Sequence, residues 1–416
     1  MPFDLILRQA RIAGREGELV DIAVAAGRIA AIETTIPGDA RDELLDGRLV
    51  VPGLVETHIH LDKSCILDRC SIVAGTLQEA ISEVAATKRA FTEEDIYARA
   101  CRTLDKAILA GTMSMRTHVE VDPRIGLKGF RAIRRLARDY AWAIDLEICV
   151  FPQEGLLNDP GTEELLVRAC AEGADLIGGC PYTDTRPHEH IGRIFDIARR
   201  FDLDIDFHLD FDLDASWMHL DEVCRHTIAA GYGGRVAAGH VTKLSALPRS
   251  RLLETAQRLA SAGVAVTVLP ATDLFLMGRG LEANIPRGVA PAALLREHGV
   301  VCSLATNNVL NPFTPFGDCS LIRMANLYAN VGQLGRPHEI AVCLDMVTTD
   351  AARLMNLKDY GIAVGRPADL LVLDCESSFS AVAELARPLV GFKAGRKSFE
   401  ATRPRPCPPV GWRCSG

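Results

Sequence analysis

The sequence predicts an α/β protein: a closed (β/α)8 TIM-like barrel carrying a small composite β-sandwich domain built from both chain ends. Three observations lead there. The chain has 416 residues, too many for one ordinary core. Its middle alternates short apolar runs with helix-period segments about eight times, the repeat of a closed barrel rather than an open sheet. Both ends switch to the period-two alternation of exposed strands.

Residues 3–33 alternate in this way, in "FDLILRQARIA" and "DIAVAAGRIAAIE", with Gly27 as a turn signal. From residue 51 the texture changes. "VVPGLVETHIH" reads as one strand, "TLQEAISEVAATKRA" and "TEEDIYARACRTLDKAILAG" as helices, and "TMSMRTHVEV" as the next strand. "WAIDLEICVFPQ" and "DLIGGC" are strands, each followed by a helix, "TEELLVRACAEGA" and "EHIGRIFDIARRFD". "LDIDFHLDF", "RVAAGHV", "VAVTVLPA" and "VVCSLATN" complete the barrel, with helix-period segments between them. Near the end, "GRPADLLVLD" and "LVGFKAGRKSFE" return to strand and can pair with the N-terminal strands. The division expected is residues 1–52 for the first part of the sandwich, 53–355 for the barrel, and 356–416 for the second part. The last of these includes a Pro-rich tail, "RPRPCPPVGWRCSG", read as an irregular surface extension.

Hydrophobic residues make up 48% of the chain and charged residues 24%, the balance of a globular protein without long disordered segments. With a net charge of −8 and no basic concentration, the chain has nothing to neutralise phosphates. Nucleic acid and anionic membranes are therefore not expected partners, and a small-molecule substrate is. The first residues, "MPFDLILRQARIAGREGELV", lack the apolar centre of a signal peptide, and no run of eighteen apolar residues occurs. A cytoplasmic location is expected. The thirteen cysteines show no CxxC pair and read as small buried hydrophobes in a reducing compartment.

Active sites of such barrels sit at the C-terminal ends of the strands. In "VETHIHLDK", His58 and His60 stand at i and i+2, on one face of a strand. Two imidazoles so placed can share a zinc or iron ion with a further ligand from another strand. His118 in "RTHVEV", His208 in "IDFHLDF" and His240 in "AAGHVTK" also end strands. Five strand-end histidines out of eleven exceed what scattered core or surface histidines give, and point to a metal site. His188, His190, His219, His226, His298 and His338 fall in helix-period or loop segments and receive no role. Asp210 and Asp212 follow His208 at i+2 and i+4 and share its face if the strand continues. They are candidates for proton transfer, with helix capping as the competing role. Lys63 can steer an anionic substrate or be a surface lysine, and Glu120 and Asp122 after His118 are equally open. Trp217, Phe275 and Met277 suit either the mouth of the barrel or its core.

Taken together, these segments resemble the amidohydrolase superfamily. "VVPGLVETHIHLDKS" is similar to its opening signature. The ordered set "RTHVEVDP", "VFPQEG", "IDFHLDFD", "AGHVTKL" and "NPFTPFG" resembles the cytosine deaminase branch, over nearly the whole chain. The resemblance implies one divalent metal ion, zinc or iron, on His58, His60 and His208. His240 would hold the attacking water or the substrate, and Gln153 would bond the substrate's amide edge. In that family the metal lowers the pKa of water, and a carboxylate shuttles protons to the leaving nitrogen. A homo-oligomer is compatible with it.

Two positions depart from the branch. Where it has a glutamate three residues after the β5 histidine, this chain has Phe211. Where it has the metal-binding aspartate that serves as general base, this chain has Asn307, followed by Asn308. An amide oxygen binds a metal weakly and accepts no proton at neutral pH. Phe211 makes the pocket more apolar, which suits a hydrophobic or N-alkyl group better than a bare pyrimidine. The expected activity is metal-dependent hydrolysis of a non-peptide C–N bond in a small cyclic amide, amidine or N-substituted heterocycle. Protons would pass through His240, an aspartate near 210–212, or the substrate. A cytosine-type deaminase and a catalytically silent, ligand-binding member are the alternatives.

Overall fold

A computed structural model describes residues 3–38 and 40–402, so the Pro-rich tail lies outside the described residues. Five strands open the chain: β1 (Leu5–Ile12), β2 (Arg15–Ala25), β3 (Arg28–Glu33), β4 (Arg41–Leu44) and β5 (Leu49–Pro52). Eight more follow in the middle: β6 (Leu54–Ile59), β7 (Thr112–Glu120), β8 (Asp145–Phe151), β9 (Leu176–Gly179), β10 (Asp204–Leu209), β11 (Val236–His240), β12 (Val264–Val268) and β13 (Cys302–Leu304). The last three are β14 (Leu370–Leu373), β15 (Pro388–Lys393) and β16 (Arg396–Glu400).

The middle strands are parallel and lie side by side in chain order from β6 to β13, as the repeated strand–helix alternation predicts. The barrel's two ends meet where Ile59 bridges Asn307: the Asn307 N–H donates to His58 O at 2.9 Å and the His60 N–H to Asn307 O at 2.9 Å. Asn307, the altered site position, thus also closes the barrel. The barrel core joins strand residues such as Val119, Phe207, Val266 and Leu304 to the buried faces of the surrounding helices. On the helix Lys128–Tyr140, for example, Phe130, Ile133 and Leu136 fall on one face at helical spacing and are fully buried. Thr76 and Thr92 start two of the helices, each hydroxyl accepting a backbone N–H of the first turn, from Glu79 and from Asp95.

The outer strands form one continuous sheet in the order β16–β15–β14–β5–β1–β2–β3, with β4 against β1. It is antiparallel except where β1 meets β4 and β5. This is the composite domain from both chain ends, with its own core of Leu7, Ile22, Val50, Leu370 and Phe392. Two of its hairpins turn on Ala26–Gly27 and Ala394–Gly395, both residues of each pair at positive φ. The two turns pack together, a Cβ on Gly27 lying 3.1 Å from Ala394 O.

One element differs from its sequence reading. "VVPGLVETHIH" is two strands, β5 in the outer sheet and β6 in the barrel, and the chain passes between them at Gly53. A Cβ there would lie 2.5 Å from Met113 Sδ and 2.7 Å from Met113 Cβ on the neighbouring strand. Gly53→Ala is expected to destabilise the protein by about 1–3 kcal/mol through overpacking, read as a lowered urea midpoint at unchanged m.

Among the described residues no helix is long and apolar enough to cross a membrane. Of the eleven described cysteines, eight are buried and none is in a disulfide.

Candidate active site

The strand ends of β6, β7, β10 and β11 deliver five buried imidazoles to one end of the barrel: His58, His60, His118, His208 and His240. Three residues that end or follow the strands turn the chain sharply. Asp210, His240 and Asn307 have φ of 49°, 69° and 66°. Val241 is also left-handed, at φ 44°, which for a β-branched residue costs about 1–3 kcal/mol. Its N–H bonds Leu209 O at 3.0 Å, and this strand-to-strand contact holds the turn that aims His240 inward.

His208 Nε2 lies 3.1 Å from both His58 Nε2 and His60 Nε2. Two nitrogens on one tetrahedral zinc, each about 2.05 Å from it, stand about 3.3 Å apart, close to the spacing that His208 has with His58 and with His60. The three imidazoles whose nitrogens all lie within 4.8 Å of one another are His58, His208 and His240. His60 Nδ1–H donates to His118 O at 3.2 Å, which leaves its Nε2 as the lone-pair nitrogen. His58 stacks on His118 at 3.8 Å and His208 on Phe151 at 4.4 Å, fixing the planes of both rings. Burial, then neighbouring imidazoles and Lys63, hold these three histidines well below their ordinary pKa. They are therefore neutral, the form that binds metal. Both side-chain polar atoms of Asn307 are buried without a hydrogen-bond partner. His118 is instead 3.5 Å from Asp206, which Arg116 also holds, at 2.9 Å.

The pocket beside the imidazoles is lined by His60, Lys63, Gln153, Phe211, His240 and Asn307, together with Tyr182, Asn308 and Phe313. With His208, which lines it too, seven of the nine residues assigned to the site by sequence meet here, and His58 completes the imidazole cluster. Asp210 does not line the pocket. β10 ends at Leu209, and the left-handed turn swings the Asp210 carboxylate onto the helix Leu220–Ala230, where it accepts from His219 N–H at 2.9 Å and Leu220 N–H at 3.0 Å. The shared-face expectation for Asp210 and Asp212 fails because the strand does not continue, and capping is what Asp210 does. Asp212 points to Lys243, at 3.3 Å.

Phe211 enters the pocket and stacks on His240, with ring centroids 3.7 Å apart and planes 28° apart. The remaining void is about 10 Å³, the least that holds one water. Of the other aromatic and apolar candidates, Trp217 lies over Lys243 Nζ at 3.5 Å, Phe275 meets Phe316, and Met277 packs in the core.

Lys63 is neither exposed nor free. Its buried Nζ donates to Glu120 Oε1 at 2.7 Å and to Gln153 Oε1 at 2.9 Å. Glu120 Oε2 accepts from Lys88 Nζ at 2.7 Å, and Lys88 also reaches Asp122 at 2.5 Å and Glu154 at 2.7 Å. Burial alone would raise the Glu120 carboxyl, but the two lysines bring it down to about 2. Burial, with Glu120 nearby, pushes Glu154 up to about 7. Because Lys63 holds the oxygen of Gln153, that amide turns its Nε2 the other way, toward Cys180 Sγ at 3.4 Å.

Sequence reasoning missed two residues here. Lys88 reads as an ordinary basic helix end. Asp273, 2.7 Å from His240 Nδ1, follows a predicted strand by only a few residues, and a lone acid in that apolar run was its one available signal.

An eight-stranded parallel barrel with imidazoles from neighbouring strands gathered at one mouth is the frame of a barrel hydrolase. The chain belongs to the amidohydrolase family, whose model matches residues 45–144 and 142–390. It is 29% identical over 405 residues to N-isopropylammelide isopropyl amidohydrolase of Pseudomonas sp. (strain ADP), covering 95% of this chain and 96% of that one. Among solved structures, 5-methylcytosine deaminase from Klebsiella pneumoniae, liganded with 5-fluorocytosine, superposes with a TM-score of 0.93 at 29% identity, over 97% of this chain and 99% of that one. N-isopropylammelide isopropylaminohydrolase from Burkholderia multivorans ATCC 17616 gives 0.83 at 28% identity, over 95% and 98%. Such relatives place the chain among enzymes that act on carbon–nitrogen bonds other than peptide bonds.

Proposed function

We propose that this protein hydrolyses the exocyclic C–N bond of a small N-alkylated oxo-azine, releasing an alkylamine and leaving an oxygen on the ring carbon. The observation that carries this reading is Phe211 against His240. An aromatic ring stands where the cytosine deaminase branch carries its acid, so the leaving group meets apolar surface formed with Tyr182 and Phe313. The opposite wall is rich in donors. The one Lys63 Nζ donor not given to Glu120 or Gln153, and the Gln153 Nε2 N–H not given to Cys180, suit the carbonyl oxygens and ring lone pairs of an oxo-azine. Two relatives whose names specify an N-isopropyl group are in keeping with it.

His58, His60 and His208 are the residues that would hold one divalent zinc or iron ion, with the Asn307 amide oxygen beside them. Bound there, such an ion supplies Lewis-acid activation of water near neutral pH. The chain's own contributions are distinct from it. Lys63 and Gln153 orient the ring, Phe211 and Phe313 exclude bulk water, and His240 offers a nitrogen to the reacting centre.

The test is metal analysis of the purified protein, followed by turnover of N-isopropyl-substituted oxo-triazines and oxo-pyrimidines beside cytosine. About one metal per chain, with isopropylamine released faster than ammonia from cytosine, is the expected result. Faster ammonia release from cytosine would replace this reading with ordinary deamination. A full metal complement with no turnover on either series would leave a ligand-binding protein.

A further inference from the structure

Behind His240 lies a carboxylate that none of the site assignments above uses. β12 runs through Leu269 into the short helix Pro270–Leu276, and Asp273 sits in it fully buried. Its Oδ1 is 2.7 Å from His240 Nδ1, and its Oδ2 accepts the Leu269 N–H at 3.2 Å. Both carboxylate oxygens are therefore occupied by donors, and the proton on the His240 edge belongs to Nδ1. The second nitrogen, Nε2, keeps its lone pair. His240 lines the pocket and offers a nitrogen within 4.8 Å of those of His58 and His208. Stacked Phe211 and the left-handed backbone at His240 fix the ring's plane. Burial raises the Asp273 carboxyl, an effect that His240 opposes.

We propose that Asp273 is a positioning residue that holds His240 as an Nε2 proton acceptor. In this chain the pair carries the proton transfer that an amide at 307 and a ring at 211 cannot. The proposal rests on the C–N hydrolase reading above. Water's oxygen bonds to the ring carbon while one of its protons passes to His240 Nε2. The resulting imidazolium is held by Asp273. That proton then goes to the exocyclic nitrogen as its bond to the ring breaks, and the electron pair leaves with the amine. The sum is substrate plus water giving ring oxo compound plus amine, with His240 and Asp273 returned unchanged.

The test is Asp273→Asn, with Asp273→Glu as the conservative partner, in protein labelled with 15N-histidine. A neutral amide presents either edge to Nδ1 and no longer fixes the tautomer. The expected result is a kcat about 10–100-fold lower with KM changed less than about threefold. The His240 signals should shift from an Nδ1–H form to a mixture, and Asp273→Glu should recover part of the rate. Metal content should stay at the wild-type level, since Asp273 touches none of the three ligand histidines. An unchanged kcat, or a lower one with the His240 signals unaltered, overturns the proposal. If the wild-type protein turns over no ring substrate, the hydrolase reading fails separately. The tautomer signals then still decide whether Asp273 positions His240, and a spectrum of Asp273→Asn identical to wild type overturns the proposal in that case too.

Discussion

Asn307→Asp is expected to raise kcat on an N-alkyl oxo-azine by about a hundredfold, near the lower end of what a positioned general base contributes. The substitution is nearly isosteric and the site is prepared for it. The backbone of residue 307 is clamped on both sides by its bonds to His58 and His60 at 2.9 Å, so the side chain changes without moving the barrel seam. Its φ of 66° is a conformation that aspartate adopts almost as readily as asparagine. No hydrogen bond is broken, because neither polar atom of the present side chain has a partner. What is added is a proton-accepting oxygen beside three neutral imidazoles, and with it a stronger metal ligand. The gain is placed low in the range because His240 and Asp273 already carry part of the transfer. The two sites should therefore be coupled: in the Asn307→Asp background, Asp273→Asn should cost severalfold less than it does alone. A metal-loaded Asn307→Asp protein with unchanged kcat would show that residue 307 is not where the base is lacking.

The parts of this site legible in the sequence share one property: they lie where a regular strand meets its end. His58 and His60 were found because a strand repeats every two residues, and His118, His208 and His240 because each closes an apolar run. The same periodicity misplaced Asp210. Nothing in "HLDFDLD" marks the left-handed turn that ends β10 at Leu209, and the alternation was carried one residue too far. The break at Gly53 is hidden for a related reason, since an apolar run across two sheets looks like an apolar run within one. Asp273 and Lys88 were not legible at all. Their roles depend on partners 33 residues away at His240 and 32 residues away at Glu120, distances fixed by the closed barrel and not by any local pattern. Lys63 is legible beside the HxH pair, but its burial depends on three carboxylates from other elements that neutralise it and Lys88.

Lys88→Met is expected to be the most destabilising of these substitutions, by about 3–5 kcal/mol, the usual effect of removing one partner from a buried ionic cluster. Lys88 Nζ is the common donor to Glu120, Asp122 and Glu154, and the residue is only 2% exposed. Methionine fills much of the same volume, so the loss would be electrostatic: three carboxylates would face each other with Lys63 alone to balance them. The pH dependence identifies this cause. In the wild type, Glu120 is held at about 2, below its unfolded value of 4.5, so it stabilises the fold at neutral pH and that support is lost only as pH falls toward 2. Without Lys88 the remaining carboxyls shift upward in the folded state. Groups raised in this way support the fold below the unfolded pKa and cease to do so as pH rises through the folded one. The stability gap between Lys88→Met and wild type, measured by urea unfolding, should therefore be wide at pH 8 and narrow at pH 5. The damage should also reach the pocket, because Glu120 shares Lys63 with Gln153. KM for an oxo-azine should rise more than kcat falls. A gap below about 1 kcal/mol, or one independent of pH, would mean that the cluster relaxes around the missing charge, and Lys63 would then be held in place by its packing over Phe313 rather than by Glu120.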